Sequence, residues 1–197
     1  MIKHALLFKT LNQVAEIPTD EWQSLCERLN ERTLKKGEHF LAAGDFASNI
    51  GFVISGYCRQ FYIDGEGNEF NHGFNFENEL MAGYPSLLEK KPCRYTIEAM
   101  EDCDLLVMSY EEFDRFYQHH PCWERLGRKV AERNYLLKMR RESAFLIMDA
   151  TQRYLDLLET QPEVINRVPQ YHLASFLGIT ASAPNRIIKK LKTAAGI

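Results

Sequence analysis

The sequence predicts an α+β chain: an N-terminal antiparallel β-roll of jelly-roll type, then a long dimerisation helix, then a C-terminal helix-turn-helix. Three observations predict it. Between Glu31 and Ser109, short segments rich in Phe, Val, Ile and Tyr alternate with glycine-bearing turns. From Trp123 to about Asp149 there is no proline and a spread of helix formers. From Gln170 to Lys192 the residues have the layout of two short helices about a glycine turn.

Thr19-Asp20-Glu21-Trp22 opens a helix after a short N-terminal segment, with Thr19 as its cap and two acids where the helix dipole favours them. Trp22, Leu25 and Leu29 share one face of it. Ile50–Ser55 and Tyr57–Ile63 are of strand length, and the turns at Lys36-Gly37, Ala43-Gly44-Asp45, Ser55-Gly56 and Asp64–Asn68 separate many short strands. Such spacing favours a closed roll, which removes exposed edges, over a flat sheet. The helical pattern from Tyr110 breaks at His120-Pro121 and resumes as a helix about 40 Å long at 1.5 Å per residue. Val130, Leu137 and Ala144 fall seven apart in it, and Leu126, Ile147 and Met148 extend the apolar stripe, interrupted by Arg133, Arg140 and Arg141. A further helix around Tyr154–Leu158 ends at Gln161-Pro162. The resulting division is a β-roll over 1–120, a dimer helix over 121–149 and a helix-turn-helix domain over 150–197.

With 197 residues, 45% of them hydrophobic and 26% charged, the chain is neither disordered nor fibrous and is long enough for a sizeable core. No apolar run approaches the ~18–20 residues of a membrane span, and Lys9 interrupts the start before a secretory segment could form, so the expected location is the cytoplasm. Five cysteines without a C-x-x-C spacing suggest reduced thiols, and the adjacent pair His119-His120 points in two directions. Neither a metal nor a cofactor is expected. The clustered His and carboxylates of metal-dependent jelly-roll enzymes are missing too, so the chain reads as a non-enzyme.

Charge singles out the tail. The net charge is −3, yet residues 151–197 carry six Lys/Arg against three Asp/Glu, and from Ile165 onward there are five cations and no acid. A helical hairpin has no structural reason to exclude acids, whereas a polyanion-binding one does. In Gln170–Thr180, Ala174 is small enough for a second helix to cross closely, Gly178 can take the left-handed turn, and Thr180 can cap the second helix. That second helix presents Arg186, Lys189, Lys190 and Lys192 on a rod that fits a major groove. Ser182, Asn185 and Arg186 are the candidates for base edges, and the lysines with Thr180 for the backbone. Pro184 breaks the pattern: either the helix starts at a Ser182 cap, or its first turn is loosened.

A β-roll, a long helix and a helix-turn-helix in this order and at these lengths resemble the Crp/Fnr family of bacterial transcription regulators. Ile97–Asp102 before the last strand, and Val168–Thr180, are similar to members from Bacteroidetes-type bacteria. The resemblance implies a homodimer that reads an imperfect palindrome of double-stranded DNA, with RNA polymerase as a further partner and a roll that senses a signal. It also implies that Arg186 matches a base-reading arginine, with Ala181 and Ser182 at the other two contact positions.

Family members that bind cyclic AMP hold its phosphate with a Gly-Glu pair at a short helix start and an Arg-Ser pair some ten residues later. The matching positions here are Ala82-Gly83 and Cys93-Arg94, so the glutamate is absent and the arginine is one residue out of register, on the other face of a strand. The roll therefore reads as a degenerate pocket that takes another small-molecule effector or none. Its candidate polar groups are Arg59, Tyr84, Ser86, Arg94 and Glu98. An iron–sulfur sensor lacks cysteines before Cys26, and for a haem sensor His39 and His72 are indistinguishable from strand-surface histidines. The alternative function is a ligand- or protein-binding roll with impaired DNA binding, which Pro184 and the short end after Lys192 favour.

Overall fold

A computed structural model describes residues 2–180 and Ile187. The chain opens with α1 (Ile2–Val14) and α2 (Thr19–Cys26). The first is a helix where the sequence suggests only a short lead-in: Leu7, Leu11 and Ala15 recur every four residues and are buried. At α2 the expected cap shifts by one. Pro18 is the N-cap and Thr19 the first helical residue, without a side-chain cap, while Asp20 and Glu21 lie in the first turn as expected.

The roll consists of β1 (Asn30–Leu34), β2 (His39–Leu41), β3 (Asn49–Ser55), β4 (Cys58–Ile63), β5 (Glu69–Asn75), β6 (Leu80–Ala82), α3 (Tyr84–Glu89), β7 (Thr96–Ala99) and β8 (Cys103–Ser109). They form two four-stranded sheets, β1-β8-β3-β6 and β2-β7-β4-β5. Leu34, Phe40, Val53, Met81, Tyr95, Ile97, Leu105 and Val107 form a buried cluster within the roll. The glycines predicted to turn the chain do so, Gly37, Gly44, Gly56 and Gly67 all having φ between 80° and 95°. At Gly56 a Cβ would lie 2.6 Å from the Asp102 carbonyl, so that turn is closed to any other residue on two counts.

The alternate residues of β8, Leu106 and Met108, join a second cluster with Leu7, Leu11, Leu25, Phe116, Trp123 and Leu126. Helix α4 (Tyr110–Phe116), capped by the Ser109 hydroxyl, and the start of α5 (Pro121–Ile147) supply its far side. The 27 residues of α5 match the predicted long helix, displaced two residues toward the N-terminus. Helices α6 (Ala150–Thr160), α7 (Pro162–Arg167) and α8 (Gln170–Leu177) complete the order. A reciprocal capping box between Asp149 and Gln152 starts α6 four residues before the predicted segment. Pro162 ends α6 as expected and, standing in a first turn where a missing N–H costs nothing, starts α7. Among the described residues, no helix is long and apolar enough to cross a membrane, and the five cysteines are free thiols.

The chain divides into two compact units, one of residues up to Tyr62 with Phe74–Asn134, the other of Ile63–Gly73 with Tyr135 onward. The second therefore includes the tip of the β4–β5 hairpin. Asp64 builds that tip, its Oδ1 accepting the N–H groups of Glu66 and Asn68 at 2.9 Å each. Beyond the turn, the buried Asn71 donates its N–H to Ser175 Oγ at 3.0 Å, and Ser175 Oγ donates to the Glu69 carbonyl at 3.0 Å, so the tip is bonded to α8. Burial, and then the charges of Lys138 and Arg141, hold the imidazole of His72 down to about 4.

That depression fixes a sign. Below its ordinary value of 6.5 the unfolded chain takes up a proton that the folded His72 refuses, so stability falls with acidity and levels off below about pH 4. Urea denaturation is expected to show wild type losing about 2 kcal/mol more than His72→Gln between pH 7 and pH 5. Equal losses in the two proteins would contradict the assignment.

Candidate sensor pocket and helix-turn-helix

The five polar residues expected in the roll separate into three settings. Arg59 on β4 and Glu98 on β7 are cross-strand partners. The Arg59 guanidinium reaches Glu98 Oε2 from Nε at 2.6 Å and from a terminal nitrogen at 2.5 Å, and lies 3.8 Å over the Phe61 ring. Both side chains are mostly shielded from water, so each charge is committed to the other. Ser86, buried in α3, donates to the Lys91 carbonyl at 2.5 Å and accepts the Ala47 N–H at 3.1 Å, which ties the helix to its flanking loops. Tyr84 and Arg94 are exposed, Tyr84 standing edge-on to Tyr110. Arg59 and Glu98 are thus brought together, whereas Arg94 is not brought to them.

The positions that would hold a cyclic phosphate are filled differently. Cys93 is buried, with its N–H on the Asp45 carbonyl at 2.7 Å and its carbonyl accepting the Gly44 N–H at 2.8 Å. Its neighbour Arg94 faces water, but both residues precede β7, which begins at Thr96, so the expected strand alternation is not what turns them apart. Gly83 is the N-cap of α3, and a Cβ there would meet Leu41 at 2.4 Å and Ala47 at 2.8 Å. A glutamate at this position would force that wall apart. The buried Tyr95 closes the same region, its hydroxyl donating to the Ala82 carbonyl at 3.0 Å. Among the described residues, no three His, Cys, Asp or Glu side chains cluster as a metal ion would need.

The helix α8, expected as the first of the helix-turn-helix, ends where predicted. Gly178 takes φ 64°, its N–H bonds to the Ser175 carbonyl at 3.2 Å, and the Ile179 N–H bonds to the Ala174 carbonyl at 3.0 Å. This is the double-bonded turn that a left-handed glycine makes possible at a helix end. Leu173, Ala174, Phe176 and Leu177 are buried, and so is Ile187, while Thr180 is exposed. Ser182, Pro184, Asn185, Arg186, Lys189 and Lys190 lie outside the described residues.

The apolar stripe of α5 has two fates. Leu126 is buried with Trp123 and Phe116, and Val130 packs against the same cluster, so these two serve the chain's own core. Ala144 is also buried. Residues 131–140 are all exposed, among them Tyr135 at 62%, Leu136 at 66% and Leu137 at 45%. Two arginines to which the sequence assigns no partner have structural ones: Arg141 and Arg153 donate to the carbonyls of Phe176 and Leu177. The signal that points to such residues is general, because a buried helix end leaves carbonyls in need of donors.

Comparison with known proteins agrees with this geometry. Residues 31–120 match the model of the cyclic nucleotide-binding domain family. A transcriptional regulatory protein from Bordetella pertussis, named btr, is 23% identical over 186 residues, covering 88% of this chain and 76% of that protein. A CooA variant from Carboxydothermus hydrogenoformans superposes with a TM-score of 0.73 at 18% identity, over 95% of this chain and 84% of that one. FixK2 of Bradyrhizobium japonicum gives 0.70 at 16% identity, over 85% and 86%. The c-di-GMP-responsive regulator CLP of Xanthomonas campestris gives 0.67 at 20% identity, over 88% and 91%. Residues 31–120 thus match the cyclic nucleotide-binding domain family, and the chain shares the fold of these solved structures, β-roll first and helices after.

Proposed function

We propose that the chain is a homodimeric, DNA-binding transcription regulator whose roll does not take cyclic AMP. The observation that carries the DNA-binding part is the first half of a helix-turn-helix, α8 with its turn at Gly178, leading into a segment with four cations and no acid. Phosphate contacts from Lys189 and Lys190 would supply affinity, and Arg186, with its two-pronged donors, the readout of a guanine edge. Ser182 and Asn185 are the neighbouring base contacts, and Thr180 a backbone contact. The roll over 1–120 then senses, 121–149 dimerises and 150–197 reads DNA, in the cytoplasm and in concert with RNA polymerase. The double strand it reads is an imperfect palindrome, matching the two-fold axis of a dimer.

Dimerisation is supported by the exposed helical turns of α5, where Tyr135, Leu136, Leu137 and Met139 stand in water on an otherwise charged helix. A second copy of the same helix would cover them. The lack of a cyclic AMP site is supported by Cys93 in place of a cation and by the wall at Gly83. The roll takes a different small molecule or none.

Calorimetric titration of the protein with cyclic AMP up to millimolar concentrations is expected to give no binding heat, and saturable one-to-one binding would contradict the pocket reading. For DNA, the test is a duplex enriched by the wild-type protein from a random pool. Arg186→Ala is expected to cost about 1–3 kcal/mol on that duplex and little on random DNA, whereas Lys190→Ala weakens both alike and lowers the salt slope by about one. Anisotropy titrations in which both variants lose equally on both duplexes would overturn the division of roles.

A further inference from the structure

The last four carbonyls of a helix have no partner within it, and inside a protein each must find a donor. In α8 these are the carbonyls of Ala174, Ser175, Phe176 and Leu177. The glycine turn serves the first two, through the N–H groups of Ile179 and Gly178. Arg141, from α5, donates to the Phe176 carbonyl at 3.0 Å, and Arg153, from α6, donates through Nε to the Leu177 carbonyl at 3.1 Å. Each guanidinium has a second anchor. Arg141 reaches the Asn71 carbonyl of the hairpin tip at 3.4 Å, and Arg153 the Met148 carbonyl at 2.7 Å.

One ring organises both. Arg141 lies 4.6 Å from the Phe145 centroid and 4.4 Å from that of Phe176, and Arg153 lies 4.9 Å from Phe145. Phe145 also meets the turn itself, since a Cβ on Gly178 would stand 2.6 Å from its Cε1. The guanidinium charge sits at the negative end of the α8 dipole, where a cation is stabilised. Burial, with the neighbouring Arg153, brings Arg141 down to about 10, which leaves it charged at neutral pH.

We propose that Arg141 and Arg153 are positioning residues for DNA reading. They complete the cap of α8 and fix the direction in which the chain leaves Gly178, and they do so without touching DNA themselves. The inference rests on the DNA-binding reading above, which it deepens. It also separates two classes of cation in the C-terminal half: those that hold phosphate, and these two, whose donors are spent on main-chain carbonyls. Lysine is no substitute, because a single ammonium cannot keep the planar stack on Phe145 and Phe176 while donating to two carbonyls.

The test uses the full-length variants Arg141→Gln, Arg141→Lys and Arg153→Gln, each checked by thermal melting so that binding is measured well below unfolding. Amide exchange at Gly178 and Ile179 is expected to rise at least tenfold in all three. Affinity for the enriched duplex is expected to fall about tenfold, with affinity for random DNA and the salt slope unchanged. Unchanged exchange would overturn the clamp. A loss on both duplexes accompanied by a salt slope smaller by about one would also overturn it, since that result marks a phosphate contact. Should wild type bind no duplex at all, the DNA-binding reading fails while amide exchange still decides the clamp. If Arg141→Gln does not fold, Arg153→Gln carries the test, as its arginine is not tied to the hairpin tip.

Discussion

The strand β8 is buried on both of its faces, and the first compact unit is built around that constraint. Leu105 and Val107 point into the roll, while Leu106 and Met108 point to the helices, so four successive apolar residues serve two cores. A strand of this kind cannot slip by one residue, because the slip would exchange the two cores' side chains while the helices on one side and the second sheet on the other stay as they are. Its pairing with β1 and β3 is accordingly antiparallel along nearly its whole length. The outer core then commits the start of α5: Trp123 is fully buried, and its indole N–H reaches Glu21 at 2.6 Å. The next turns of α5, residues 131–140, are left exposed, which is where the proposed second copy of the chain would pack.

The interior of the roll supports the proposal that it does not take cyclic AMP. An anionic ligand needs a cation and free N–H groups facing it in a space of adequate size. Here the one well-buried arginine among the described residues of the roll, Arg59, is already matched by Glu98, and the wall at Gly83 is closed by Leu41 and Ala47. Tyr95 occupies the interior with its hydroxyl bound to the chain just before α3. Cys93 adds a small apolar side chain where the cation would stand. Space and charge therefore both support that reading.

Much of this is legible in the residues, and the exceptions have physical causes. Left-handed glycines announce turns, because few other residues take that conformation, so Gly37, Gly44, Gly56, Gly67 and Gly178 are all where the sequence places them. Cys93 and Arg94 do face opposite ways, but in the irregular segment before β7, so the strand alternation expected from the sequence is not the cause. Helix α1 is hard to read because its buried stripe is narrow and it has no acidic start or basic end. The cap of α2 differs from expectation by one residue: Pro18 takes the N-cap and Thr19 the first helical position without a side-chain cap, although threonine is the better capping residue. Arg141 and Arg153 are hidden for a different reason. An arginine on a helix reads as solvated charge unless one knows which carbonyls lie opposite, and Phe176 and Leu177 are 35 and 24 residues away. Arg59 and Glu98 stand out in the sequence as two pocket candidates, but their mutual neutralisation depends on strand register, which composition does not reveal.

The proposed function requires the helical half of the chain to bind DNA through several phosphates and to read sequence. The most direct measurement is fluorescence anisotropy of the wild-type protein on the duplex upstream of its own gene, titrated across salt concentrations against a random duplex. Tighter binding to the upstream duplex is expected, with an affinity for each that falls steeply as salt rises. Weak, equal binding to both, with little dependence on salt, would contradict it.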